Sequence, residues 1–136
     1  MRHDADWAQQ RFAAARVARL ATVSPDGSPH LVPITFALSG TSLLSAVDNK
    51  PKSGTSLRRL DNIAGNPFVT VLVDEYDEDW TQLWWARADG WARVRPVAEV
   101  PDFAELVERY PAYRATPPDG PVIIIDVDHW SGWSAE

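Results

Sequence analysis

The stretch RVARLATVSPDGSPHLVPITFAL, residues 16–38, decides the architecture. In its first half Val17, Arg19, Ala21 and Val23 fall on one face of an extended chain and Leu20 and Thr22 on the other, the two-residue period of a strand. Ser24-Pro25-Asp26-Gly27 supplies turn chemistry, because Pro pre-sets one backbone angle and Gly accepts a positive φ. A second strand, His30 to Leu38, then closes a hairpin. Pro33 lies within it and has no N–H to give to a ladder, which predicts an edge, a bulge or a ligand-facing gap at that point.

Working outward, Trp7, Phe12, Ala15 and Val17 recur at spacings of three to five, and residues 4–15 read as an amphipathic helix. Downstream, TSLLSAV at 41–47 is a third strand that runs into the polar loop Asp48 to Gly54. Thr55 or Ser56 then caps a helix carrying Leu57, Leu60 and Ile63, which Gly65, in a left-handed cap, and Pro67 bring to an end. PFVTVLVD at 67–74 is a dense β-branched run and is expected at the centre of the sheet. The aromatic-rich stretch from Trp80 to Val97 is either one long strand or two joined at Asp89-Gly90, a dipeptide favoured in tight hairpins. Pro101 to Arg109 reads as a short helix, Tyr110 to Gly120 as a proline-rich ordered loop, and VIIIDVDHW as the last strand. No repeat or internal boundary interrupts the chain, so residues 1–136 read as one mainly β (α+β) domain whose antiparallel strands close into a barrel.

Composition removes several classes. No apolar run approaches the ~20 residues of a membrane span, and the opening MRHDADWAQQRF lacks the apolar core of a signal peptide, which predicts a cytoplasmic protein with no membrane partner. Zero cysteines exclude disulfides, thiolate-bound zinc and a cysteine nucleophile. A net charge of -6 argues against a broad nucleic-acid surface.

Against that acidic background, Lys50, Lys52, Arg58 and Arg59 lie between Asp48 and Asp61 with no acid among them. They straddle a strand, a Gly/Ser loop and a helix N-terminus, where unpaired backbone N–H groups and the positive helix end add to the side-chain charge. A phosphate or carboxylate suits such a place; the plainer reading is a solvated basic face that balances the acids at 74–79. Trp80, Trp84, Trp85 and Trp91 cluster within twelve positions, and adjacent Trp84 and Trp85 on a strand must point to opposite faces. His3, His30 and His129 show no ligand spacing, and Asp77, Glu78 and Asp79 lack the glycine of a calcium loop, so no metal site is expected. No G-x-S-x-G marks a nucleophilic serine. Tyr76 and His30 are the candidate proton donors, without a feature that singles out either.

The order of RVARLATVSPDGSPHLVPITFAL, LLSAVDNKPK, LRRLDNIAGNPFVTVLVDEYDEDW and LWWARADGWARV, closed by Trp130 and Trp133, resembles the FMN-binding split-barrel superfamily related to pyridoxamine 5'-phosphate oxidase. Within it the resemblance is to small actinobacterial F420-dependent oxidoreductases. It implies a split β-barrel of six to seven mostly antiparallel strands with flanking helices, forming a homodimer with the cofactor at the subunit interface. It further implies that Ala46, Val47, Lys50, Lys52, Arg58, Arg59 and Asn62 hold the cofactor phosphate and that Val32, Pro33, Ile34 and Thr35 lie against its ring. Trp80, Trp84 and Trp85 resemble an aromatic wall supplied by one or other subunit. The implied activity is hydride transfer between reduced coenzyme F420, a deazaflavin, and a small unsaturated molecule. The alternatives are an FMN-binding flavin reductase or oxidase of the same fold, and a non-catalytic flavin, deazaflavin or haem binder. Four cations suit the longer anionic tail of F420 better than the single phosphate of FMN.

Overall fold

The computed structural model describes residues 1–47 and 54–135, with no side-chain detail for 54–57. Lys50 and Lys52 lie outside the described residues. Among the described residues eight strands form one antiparallel sheet: β1 (Arg2–His3), β2 (Ala18–Val23), β3 (Pro29–Ile34), β4 (Ala37–Ser39), β5 (Ser42–Ala46), β6 (Phe68–Glu75), β7 (Trp84–Arg95) and β8 (Val122–Ser134). Four α-helices accompany them: α1 (Ala5–Ala14), α2 (Gly54–Gly65), α3 (Phe103–Arg109) and α4 (Pro111–Ala115).

Neighbouring strands run β3-β2-β6-β7-β8-β5-β4, with β1 added beside β8. The two ends of that path, β3 and β4, are joined in sequence by only Thr35 and Phe36. Three Cα steps reach about 11 Å, so the sheet must curl until its ends meet. The result is a barrel with a seam between β3 and β4, the split barrel expected from the sequence. The strand count exceeds six to seven because β1 is added at the N-terminus and His30–Leu38 breaks at the seam into β3 and β4.

The barrel core follows from the two-residue period. Leu20 of β2, Val69, Val71 and Val73 of β6, and Ile123 and Ile125 of β8 are buried, whereas Val17 of the opposite face is exposed. Helix α1, capped by Asp4, whose carboxylate accepts from the Trp7 N–H at 3.0 Å, closes one end. Its fully buried Phe12 meets Phe36 and Trp130 edge to face, at ring separations of 5.9 and 5.2 Å. Replacing such a ring by alanine costs about 3–5 kcal/mol. Strands β5 and β8 are apolar on both faces because both are covered. Leu43 and Ile123 face the barrel, while Leu44, Val122 and Ile124 pack with Val97, Val100 and Phe103 outside it.

Central placement of β6 is as the sequence predicts, between β2 and β7. The Asp89-Gly90 expectation resolves to one long strand. The dipeptide is a bulge against β8, where Asp89 pairs with His129 and Gly90 with Val127. A Cβ on Gly90 would lie 2.9 Å from the Cα of Val127 and closer still to the Asp126 carbonyl, so the bulge excludes any side chain there. Similarly, a Cβ on Gly132 would sit 2.6 Å from the Trp7 ring, which rests on that stretch of backbone.

Other boundaries shift for local reasons. Gly65 is not among the positive-φ glycines, and α2 instead carries its ladder one residue on, with the Asn66 N–H donating to the Asn62 carbonyl at 2.8 Å. Helix α2 begins at Gly54, which puts Thr55 and Ser56 in its first turn rather than ahead of it. Residues 111–115, expected to be loop, form α4, which Pro111 starts at a position that needs no N–H.

Candidate functional site

At the seam, a cleft of about 360 Å³ opens between the end of β3, β5, α2 and α4. Pro33, Ile34, Thr35, Ser45, Ala46, Arg59, Tyr110, Ala112 and Tyr113 line it. Each element arrives for a stated reason. Pro33 lies on β3, which among the described residues pairs with β2 alone, an edge position where a residue without an N–H is tolerated, and it is exposed and lines the cleft. The Ser45 hydroxyl, buried, donates to the Thr35 carbonyl at 2.8 Å and pins the seam to β5.

Arg109 and Tyr110 anchor the α3–α4 side. The Arg109 guanidinium donates to the carbonyls of Phe36 at 3.1 Å, Ala13 at 3.0 Å and Ala15, joining the end of α1 to the seam. It also lies over the Phe36 ring. Burial lowers its pKa, opposed by Tyr110 and reinforced by the nearby Arg16. The Tyr110 hydroxyl accepts from the Phe36 N–H at 3.0 Å and has the Phe36 and Arg16 carbonyls at 2.9 and 3.0 Å as acceptors for its proton. Tyr113 packs edge to face on Tyr110, and its hydroxyl is 2.8 Å from that of Thr35.

Arg59 is the charged member of the cleft. It is half-buried, burial depresses its pKa, and its Nε is buried without a partner. An arginine does not shed its proton under such pressure, so deprotonation does not relieve the desolvation cost. Arg58, one residue earlier, is exposed and donates to the Ser24 hydroxyl at 3.2 Å. Nearby His30 has a buried, unpartnered Nδ1. Its pKa is lowered by burial first and then by the charges of Arg58 and Arg59.

Of the residues singled out in the sequence, the cleft brings together Pro33, Ile34, Thr35, Ala46 and Arg59. Val32 and Val47 are packed into the barrel core. Asn62 is buried, and its amide donates to the Thr22 hydroxyl at 3.0 Å, tying α2 to β2 away from the cleft. The three tryptophans lie elsewhere. Trp80 is 68% exposed, with its indole N–H donating to Tyr76. Trp84 meets Trp7 edge to face, with Arg11 over both rings. Trp85 lines an apolar hollow with Met1, Arg2 and its cross-strand neighbour Trp133. Neither Tyr76 nor His30 lines the cleft. Sequence reading missed Ser45, Tyr110, Ala112 and Tyr113; the only signal for the last three was that the 110–120 segment reads as an ordered loop. Among the described residues no cluster of His, Cys, Asp or Glu could hold a metal ion, and no helix is long and apolar enough to cross a membrane.

The antiparallel sheet with its helices is consistent with the split-barrel fold of the pyridoxamine 5'-phosphate oxidase family. The family model matches residues 6–134, and the chain belongs to that family. None of the curated proteins compared with it matches the chain. Among solved structures it is similar to an FAD-binding protein of Mesorhizobium loti, 21% identical over 97% of this chain and 95% of that one, with a TM-score of 0.75. It is similar to the FAD-binding protein of Mycobacterium smegmatis, 20% identical over 98% of both chains, with a TM-score of 0.69. It is also similar to a haem-binding protein of Mycobacterium smegmatis, 18% identical over 96% of this chain and 57% of that one, with a TM-score of 0.72. At these identities the structural likeness speaks for the fold alone.

Proposed function

We propose that this chain is an oxidoreductase that binds a flavin-type cofactor, the deazaflavin F420, in the seam cleft. The observation that carries the reading is Arg59, a half-buried cation with an unpartnered Nε on the wall of a cleft otherwise lined by prolyl, aliphatic and hydroxyl groups. Those residues fit a planar ring joined to a phosphate. Arg59 would meet the phosphate, with Lys50 and Lys52 as further cations on the same strand-to-helix connection, and Pro33, Ile34 and Thr35 would lie along the ring. The cleft is at the small end of the range for ligand sites, as expected if a second copy of the chain completes it.

When bound, such a cofactor supplies hydride transfer to or from a small molecule. The chain supplies orientation, exclusion of water and charge neutralisation. A flavin, FMN or FAD, is the second reading, favoured by the two structural neighbours whose names say that they bind FAD. Haem fits less well, because none of the three histidines lines the cleft. The Trp84–Trp85 end stands apart from its own cleft, which supports a homodimer in which those rings meet the partner.

Parallel titration with F420 and FMN, read by ring fluorescence, tests the reading. The Lys50→Ala/Arg59→Ala variant is expected to lose more than ~2 kcal/mol of affinity with its melting temperature kept, since charge-assisted hydrogen bonds contribute about 1.5–3 kcal/mol each. Unchanged affinity in that variant would refute the assignment.

A further inference from the structure

The polar groups of the cleft divide into those already committed and those that are not. Ser45 gives its proton to the Thr35 carbonyl. Tyr110 accepts one hydrogen bond and has two carbonyls as acceptors for its own proton. Arg59 is a cation suited to an anion. Thr35 and Tyr113 remain, and their hydroxyls face each other at 2.8 Å.

Two hydroxyls carry two protons. Whichever acts as donor, one proton lies between the oxygens and the second has no acceptor among the described residues. That second proton belongs to a part-buried pair on the cleft wall. The mount is rigid, since Tyr113 packs against Tyr110 at 5.5 Å and Tyr110 is itself held by Phe36 and Arg16. A fixed donor without an acceptor is a hydrogen bond waiting for a ligand atom.

We propose that the Thr35–Tyr113 hydroxyl pair donates this proton to a ring carbonyl oxygen of the bound cofactor and so sets the ring's orientation in the cleft. The inference rests on the cofactor reading above and assigns a neutral donor for a neutral acceptor, separate from the cation that meets the phosphate. Flavins and deazaflavins both carry ring carbonyls, so the pair serves either.

The test compares wild type, Thr35→Val, Tyr113→Phe and the double variant, each titrated with FMN and F420 and read by ring fluorescence and absorption. The double variant is expected to bind the cofactor about tenfold more weakly and to return its absorption bands toward those of free cofactor. Each single variant retains one hydroxyl proton and loses less. Competition by inorganic phosphate alone, which reports Arg59, stays as in wild type. If the double variant fails to fold, a changed bound-state absorption spectrum in Tyr113→Phe supports the proposal and an unchanged one overturns it. Wild-type affinity and spectrum in the double variant, or an equal loss in phosphate competition, would overturn it. Wild-type affinity there together with a loss in Arg59→Ala removes this inference and leaves the site standing; a wild-type protein that binds neither cofactor removes both.

Discussion

The two ends of the β7–β8 ribbon are built from the same kind of pairing and present opposite chemistry. On one side of the Gly90 bulge lie Trp84, Trp85, Trp130 and Trp133, where Trp84 meets Trp7 edge to face beneath Arg11 and Trp130 meets Phe12. On the other side β8 pairs with β5, and the Ala46–Val122 pair leads into a cleft furnished with hydroxyls and one incompletely solvated cation. The aromatic end is not free of unsatisfied polarity, since Trp130 Nε1 and Ser131 Oγ are buried there without partners. What the seam end has besides is a cation, Arg59, whose buried Nε has no partner and which lines a cleft. The difference teaches that neither aromatic density nor a lone unpartnered atom marks a site by itself, and that an unpartnered cation lining a cleft is a better guide.

The harshest way to break that comparison is at the bulge that separates the ends. Gly90→Ala drives a methyl into the Asp126–Val127 backbone, which cannot yield as a side-chain tip can. We expect a loss of about 3 kcal/mol or more, measured by urea unfolding. A variant as stable as wild type would show that the bulge is free to reform.

A smaller effect sharpens the role of the aromatic end. Trp85→Ala removes a half-buried ring from the hollow shared with Met1, Arg2 and Trp133. If that surface meets a second copy, light scattering should show association weakened by about 2 kcal/mol, with cofactor affinity falling alongside. Unchanged mass and affinity would mark it as packing surface only.

The smallest effect concerns the cleft's electrostatic surroundings. His30 has its pKa depressed below the ordinary 6.5 by burial and by Arg58 and Arg59. Between the folded and unfolded values the unfolded chain therefore holds more protons, so stability rises with pH through that window and falls as pH drops below about 6.5. Melting curves across this range should show the slope, and His30→Asn should flatten it. An unaltered slope would assign it to other groups.

Much of the architecture was legible because it rests on local alternation. The 16–38 hairpin, the buried face of 69–73 and the apolar closing strand follow from side-chain period and turn residues. Asp89-Gly90 was ambiguous for a physical reason: a tight turn and a bulge both demand a residue without a side chain, and the choice between them lies in register against β8, far along the chain. The 111–115 helix was obscured by prolines, one of which starts it. At the site, Arg59 stood out by charge. Asn62, one turn further on, looked like part of the same face, yet the Thr22 hydroxyl draws it inward. Thr35, Ser45 and Tyr113 become neighbours only when the seam closes, and no spacing in the chain announces that.

Gly132 has one more consequence. Trp7 packs against that glycine, and it belongs to the helix whose C-terminal end, at the Ala13 and Ala15 carbonyls, is gripped by Arg109. The helix is thus a lever with its fulcrum on bare backbone at the aromatic end and its load at the roof of the seam. Lengthening the fulcrum by a single methyl would be transmitted as a tilt, and the cleft would register an alteration made on the far side of the barrel.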